Sequence, residues 1–148
     1  MNADVEVGSE IPEWTMGSVD PARMKTMAAI LRDPYPVHWD RVGNEKIGFG
    51  LRVINQGPLN VGYIANMLMG WAGPESVRRL TLSFARPVLD GDRVSARGRV
   101  SAIDERDGVA IVVCDVWLER DGERVVTGTA EVDGTRLIAT MDRTKDDV

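Results

Sequence analysis

The chain contains one histidine, His38, and a carboxylate stands five positions before it in the stretch Asp33-Pro34-Tyr35-Pro36-Val37-His38-Trp39-Asp40. An imidazole can take a proton from water near neutral pH, and a neighbouring carboxylate can hold that same water and help pass its proton on. The two prolines fix two φ angles and so limit how far His38 can wander relative to Asp33, as a reactive pair requires. The spacing permits both side chains to face one point; it also allows a structural histidine and a plain turn carboxylate. Further along, Asn55-Gln56-Gly57-Pro58 opens an almost uncharged stretch. A backbone amide at the positive end of a helix suits a developing oxyanion, and glycine lets a ligand approach the backbone closely. Gly57 could equally serve as a helix cap.

The elements that must position these residues can be read from local signals. Asp20-Pro21 reads as an N-cap followed by proline at the first helical position. Met24, Met27, Ala28 and Leu31 then recur at helical spacing, so one stripe is expected to pack inward. Asp33 precedes Pro34 and Tyr35 precedes Pro36; residues before proline are pushed out of the helical region, which ends this helix near Arg32 or Asp33. Residues 41–55 carry Gly43, Gly48 and Gly50 and read as a loop ending in the apolar run Leu51 to Ile54. A second helix opens at Gly57-Pro58 and stops at Gly73-Pro74. Leu59, Val61, Ile64, Ala65, Leu68, Met69 and Trp71 cover more than one stripe of it, and no charge falls between Arg52 and Glu75, so burial nearly all round is expected.

After Gly73-Pro74 the hydrophobic period changes from 3.6 to 2. Leu80, Leu82 and Phe84 alternate with Arg79, Thr81 and Ser83, and Val94, Ala96, Gly98, Val100 and Ala102 alternate with Ser95, Arg97, Arg99 and Ser101. Asp90-Gly91, Asp107-Gly108 and Asp121-Gly122 punctuate the run, predicting strands near 77–88, 92–104, 108–120 and 123–132 in an antiparallel meander. Val109 to Leu118 is apolar on both faces, which predicts a central strand covered on each side. A short strand and loop should lead in over residues 1–19, and the charged tail at 141–148 is expected to fray, leaving one domain over 1–140. The predicted class is α+β: a sheet curled around one long buried helix, the hot-dog arrangement, with open edges that invite dimerisation.

Composition narrows the function. At 148 residues, 43% hydrophobic and 28% charged, the chain is a single globular domain able to bury a core. Its net charge of -5 and lack of a basic arm argue against nucleic acid and anionic membrane as partners. A lone cysteine, Cys114, gives neither an intrachain disulfide nor a zinc cluster and reads as a small buried apolar residue. The longest apolar stretch, Val61 to Ala72, is short of a bilayer span, and the N-terminus lacks an export signal, so a cytoplasmic protein is expected.

Taken in order, three motifs make the chain resemble the MaoC-like hydratase and dehydratase family of hot-dog proteins. Asp33 to Asp40 follows the family's Asp-x-Asn-Pro-x-His-x-Asp, with Tyr35 in place of asparagine. Gln56-Gly57-Pro58 stands where the family has His-Gly-Met, keeping only the glycine. Phe84-Ala85-Arg86-Pro87-Val88-Leu89-Asp90-Gly91-Asp92 matches Phe-x-x-Pro-Val-x-x-Gly-Asp. His38-Trp39-Asp40 and the Trp71-Ala72-Gly73-Pro74 ending also look like members that act on long acyl chains or steroid side chains.

The resemblance implies addition of water to 2-enoyl thioesters, or its removal from (R)-3-hydroxyacyl thioesters, carried by coenzyme A or acyl carrier protein, with no metal or redox cofactor. It implies His38 as base, Asp33 as its partner and the Gly57 amide as oxyanion donor. Tyr35, Gln56 and Asn60 are then expected at the substrate, Gln56 in place of the family's histidine. A homodimer, or a heteromer with another hot-dog subunit, is the expected assembly. Two other functions compete. A hot-dog thioesterase commonly has an acidic residue on or beside the central helix, whereas Pro58 to Ala72 has none. A non-catalytic subunit of a heteromeric hydratase would account for the changes at Tyr35 and Gln56.

Overall fold

The computed structural model describes residues 5–142. In chain order these form β1 (Glu10–Met16), α1 (Pro21–Leu31), a 3-10 turn (Pro36–His38), α2 (Arg41–Lys46), α3 (Gly57–Ala72), β2 (Val77–Phe84), β3 (Val94–Arg106), β4 (Val109–Arg120), β5 (Glu123–Asp133) and α4 (Thr135–Asp142). The five strands make one antiparallel sheet in the order β1-β3-β4-β5-β2. Helix α3 lies against all five strands. This is the hot-dog fold.

The boundaries of α1 follow from its ends. The Asp20 carboxylate accepts from the Ala22 amide at 2.8 Å, Pro21 takes the first position, and Arg32 closes the helix in the left-handed region at φ 52°. Only Met24 of the expected stripe is deeply buried; Met27 and Ala28 are half-buried and Leu31 is exposed. The helix therefore packs through its first turns.

Helix α3 is more one-sided than its composition suggests. Asn60, Tyr63, Ile64, Met67, Leu68 and Ala72 are buried on one face, while Pro58, Asn66 and Gly70 are exposed and Val61, Ala65 and Met69 are half-covered. The sheet wraps one side of the helix only, so the expected all-round burial does not occur within one chain.

The meander is real for β3, β4 and β5, whose turns Asp107-Gly108 and Asp121-Gly122 have positive φ at both residues, the geometry that matches strand twist. It does not include β2. That strand pairs with β5, from Val77 opposite Val132 to Phe84 opposite Val126, and the segment 85–93 carries the chain across to β3. Asp90-Gly91 closes no hairpin between β2 and β3 because its polar groups are engaged elsewhere. Asp90 Oδ1 accepts from the Val53 amide at 2.7 Å, Asp90 Oδ2 from Arg41 at 2.9 Å, and Leu89 bridges to Ile54. Asp92 accepts from the Leu89 amide, Arg52 and Arg120. Burial alone would raise the Asp92 carboxyl, but these donors outweigh it and hold the group below the usual carboxylate range.

Strand β4 is central, as expected, yet covered on one face. Val112, Cys114, Val116 and Leu118 point into the core, whereas Asp115 between them is exposed and Trp117 half-buried beneath the Arg124 guanidinium, 3.9 Å from its ring centre. Glycine in mid-strand at Gly128 is required by proximity: an added Cβ would meet the Thr81 carbonyl oxygen at 1.9 Å. Two short helices escape sequence reading. Helix α2 occupies part of the expected loop, and α4 runs through Met141 and Asp142, where fraying was expected; residues 143–148 of that tail lie outside the described residues. No helix among the described residues is long and apolar enough to cross a membrane.

Candidate active site

Asp33 leaves α1 at the proline break, its amide donating to the Ala28 carbonyl at 2.9 Å. One carboxylate oxygen, Oδ1, accepts from the Tyr35 amide at 3.1 Å, an Asx turn that aims the other oxygen at His38. Asp33 Oδ2 stands 3.5 Å from His38 Nε2, with the His38 side chain 12% and the Asp33 side chain 34% exposed. The other ring nitrogen, Nδ1, lies 2.7 Å from the Ile54 carbonyl oxygen. A carbonyl can only accept, so Nδ1 carries a proton, and Nε2 is the ring nitrogen turned toward Asp33.

The loop that presents His38 is tied at several points. Trp39 Nε1 donates to the Pro34 carbonyl at 3.0 Å, closing the proline turn, and the Ile54 amide donates to the Val37 carbonyl at 2.9 Å. Asp40 lies outside the His38–Asp33 pair; it caps α2 through the Gly43 amide at 2.9 Å.

His38 shares an open depression of about 290 Å³ with Ile54, Asn55, Gly57, Asn60, Phe84, Ala85, Arg86 and Pro87. Gly57 is the first residue of α3, and its amide has no acceptor among the described residues. An added Cβ at Gly57 would meet only the Phe84 ring, at 3.6 Å, an ordinary contact. The fold would accept a side chain there; glycine keeps the depression open. Arg86 at the rim is ion-paired with Glu123.

Three residues expected at the substrate divide. Asn60 lines the depression, 3% exposed, with its Oδ1 accepting from Asn55 Nδ2 at 2.8 Å. Tyr35 sits outside it, 61% exposed, with its ring edge-on to the His38 imidazole at 6.1 Å. Gln56 turns the other way. Its side chain is 1% exposed and donates from Nε2 to the Met24 carbonyl at 2.8 Å, joining the start of α3 to α1. Gln56 therefore lines no part of the depression: it occupies the N-cap position of α3 without capping, its Nε2 held by backbone 32 residues earlier and its buried Oε1 without a partner among the described residues.

Sequence reading assigned no role to Asn55. It is 3% exposed and lines the depression, and its Nδ2 also reaches the Tyr63 hydroxyl at 3.3 Å. Tyr63 stacks on Trp14 with ring centres 5.4 Å apart, and burial pushes its hydroxyl above the ordinary tyrosine range. The available signal was a polar residue immediately after an apolar run at a helix mouth. No group of three or more His, Cys, Asp or Glu side chains among the described residues is placed to hold a metal ion.

The fold is shared with solved hydratases. The unliganded R-hydratase PhaJ1 from Pseudomonas aeruginosa is 27% identical, with 87% of this chain and 81% of that one covered at a TM-score of 0.76. The (R)-hydratase from A. caviae involved in PHA biosynthesis is 28% identical over 87% of this chain and 96% of its own, also at 0.76. The ChsH1-ChsH2 complex from Mycobacterium tuberculosis, 24% identical over 86% of this chain and 97% of that one at a TM-score of 0.73, supports the fold alone. No curated protein sequence matches the chain. The sequence model of the MaoC like domain matches residues 6–119, which takes in all three motifs and runs from β1 into β4. The chain belongs to the MaoC-like hydratase and dehydratase family.

Proposed function

We propose that this protein hydrates 2-enoyl thioesters, or dehydrates (R)-3-hydroxyacyl thioesters, carried on coenzyme A or acyl carrier protein. The observation that carries this reading is the facing of His38 Nε2 and Asp33 Oδ2 at 3.5 Å, beside a depression lined by both His38 and Gly57. In the hydration direction His38 removes a proton from water held between the two groups, and water attacks the β-carbon. Negative charge moves through the α-carbon onto the thioester oxygen, where the Gly57 amide and the positive end of α3 stabilise it; loss of such a donor costs about 3 to 4 kcal/mol. Protonation of the α-carbon by the His38–Asp33 pair completes the addition. Asn60, held by Asn55, borders the same space and orients the thioester.

The test is hydration of crotonyl-CoA and longer enoyl-CoA substrates. His38→Ala and Asp33→Asn are each expected to lower turnover by about 10² to 10⁴ while leaving the fold intact. Wild-type turnover in both variants would remove these roles. Release of free thiol in place of hydration would identify a thioesterase.

A second reading concerns assembly. The depression is open on a single chain, and α3 leaves Val61, Ala65 and Met69 half-covered, so a second hot-dog subunit, identical or different, would enclose the acyl chain. A partner supplying its own catalytic residues would make this chain the non-catalytic half. That arrangement predicts a folded protein inactive alone and active when mixed with its partner.

A further inference from the structure

Helix α2 buries nothing apolar. Val42 is 57% exposed, and the only buried residue of the six is Asn44, at 2% exposure. A surface helix that turns inward a lone amide contributes little to the core, so the contacts of that amide are the clue to its purpose. Asn44 Nδ2 donates to the Val37 carbonyl and to the Arg52 carbonyl, both at 2.8 Å. Val37 immediately precedes His38, and its carbonyl also accepts from the Ile54 amide at 2.9 Å. Ile54 in turn supplies the carbonyl that holds His38 Nδ1. One buried NH2 group therefore ties the His38 turn to the segment that sets the imidazole's proton.

We propose that Asn44 is a positioning residue that keeps His38 in the Nδ1–H form, leaving Nε2 as the basic nitrogen toward Asp33. This deepens the hydratase reading and rests on it for its kinetic consequence, though not for the tautomer. Arg52 strengthens the tie from its far side, donating through Nε to the Asp90 carbonyl at 2.9 Å. Without the Asn44 amide, the Val37 carbonyl keeps the Ile54 amide but loses its tie to α2, so the turn that carries His38 can shift relative to the Ile54 carbonyl, which the Asn55 amide holds to Val88.

Because His38 is the only histidine, the imidazole nitrogens of the uniformly ¹⁵N-labelled protein report this site alone. Wild type at mildly alkaline pH should show the Nδ1–H tautomer. Asn44→Ala should show a mixture of both tautomers, with kcat lower by about tenfold to a hundredfold and KM within about twofold, since a misplaced group weakens the chemical step more than binding. Asn44→Ser, which keeps one donor, should fall between them and carries the same test if the alanine variant does not fold. Val112→Ala, a core truncation remote from the loop, should lower the melting temperature and leave the histidine signals unmoved.

Wild-type tautomer signals in Asn44→Ala or Asn44→Ser, accompanied by lower stability alone, would overturn the proposal, as would an Nε2–H imidazole in wild type. A shifted tautomer in protein that hydrates no enoyl thioester would retain the positioning role and overturn the reaction.

Discussion

At the scale of single residues, the structure keeps apart the two groups that sequence reading had already separated, a candidate base and a buried thiol. His38 keeps an edge toward open space, with its nitrogens divided between a fixed carbonyl and a carboxylate. Cys114 lies within the core and its thiol is pushed up to about 12, chiefly by burial, with the Asp115 charge adding to it. The sign of its contribution to stability follows. An unfolded cysteine loses its proton near the ordinary thiol range, whereas the folded protein retains it, so the folded state binds more protons above that range and stability falls as pH rises from there toward 12. Tyr63, also raised by burial, adds a loss of the same sign at higher pH. The melting temperature is therefore expected to decline from about pH 9 upward, and Cys114→Ala should remove the earlier part of that decline. An unchanged slope in the alanine variant would refute the thiol's part in it. The same burial predicts that a thiol reagent labels Cys114 in denaturant and leaves the native protein unlabelled at neutral pH.

Elements differ in how far their positions depend on neighbours in sequence. Helix α1 was legible at both ends because an Asp-Pro start and a residue trapped before proline act within a few positions. The β3–β4–β5 meander was legible because Asp-Gly turns select their hairpins locally. Strand β2 was visible as a strand and misplaced as a partner. What moves it to the far edge is the set of bonds from Asp90 and its neighbours to residues 53–55, together with the Ala85 and Arg86 amides donating to the Val125 carbonyl. None of these has a local signature. The same holds for Gln56, whose place at the helix mouth was readable while the direction of its side chain is set by a carbonyl on α1. Helix α2 was missed because its apolar residue faces outward and its inward residue is polar.

The β2–β5 pairing carries its own prediction. Gly128 lies so close to Thr81 that any side chain must push β2 away from β5. Gly128→Ala is expected to destabilise the protein by about 1 to 3 kcal/mol in denaturant titration, as overpacking does. Since β2 leads into Phe84 to Pro87 at the depression, turnover at low substrate should fall as well. Wild-type stability would show that β2 is not held at this separation.

For the whole molecule, the question is what covers the surfaces that one chain leaves bare. The sheet encloses one face of α3, and β1 and β2 end it with one partner strand each. Phe84, at the end of the β2 edge, is 51% exposed and borders the depression that holds His38 and Gly57. An edge strand with apolar residues beside a half-covered apolar helix favours pairing with another sheet over remaining in water. If a second subunit supplies that cover, assembly and activity must be linked through the same surface. Sedimentation of the purified chain should then give at least twice the chain mass, and Val61→Asp, a charge on the half-covered side of α3, should shift it toward the monomer. The monomer is expected to keep its fold and the His38–Asp33 geometry, both of which are complete within one chain, yet to lose affinity for long enoyl thioesters more than for crotonyl-CoA. A monomeric wild-type protein with full activity on long substrates would show that the depression needs no second wall.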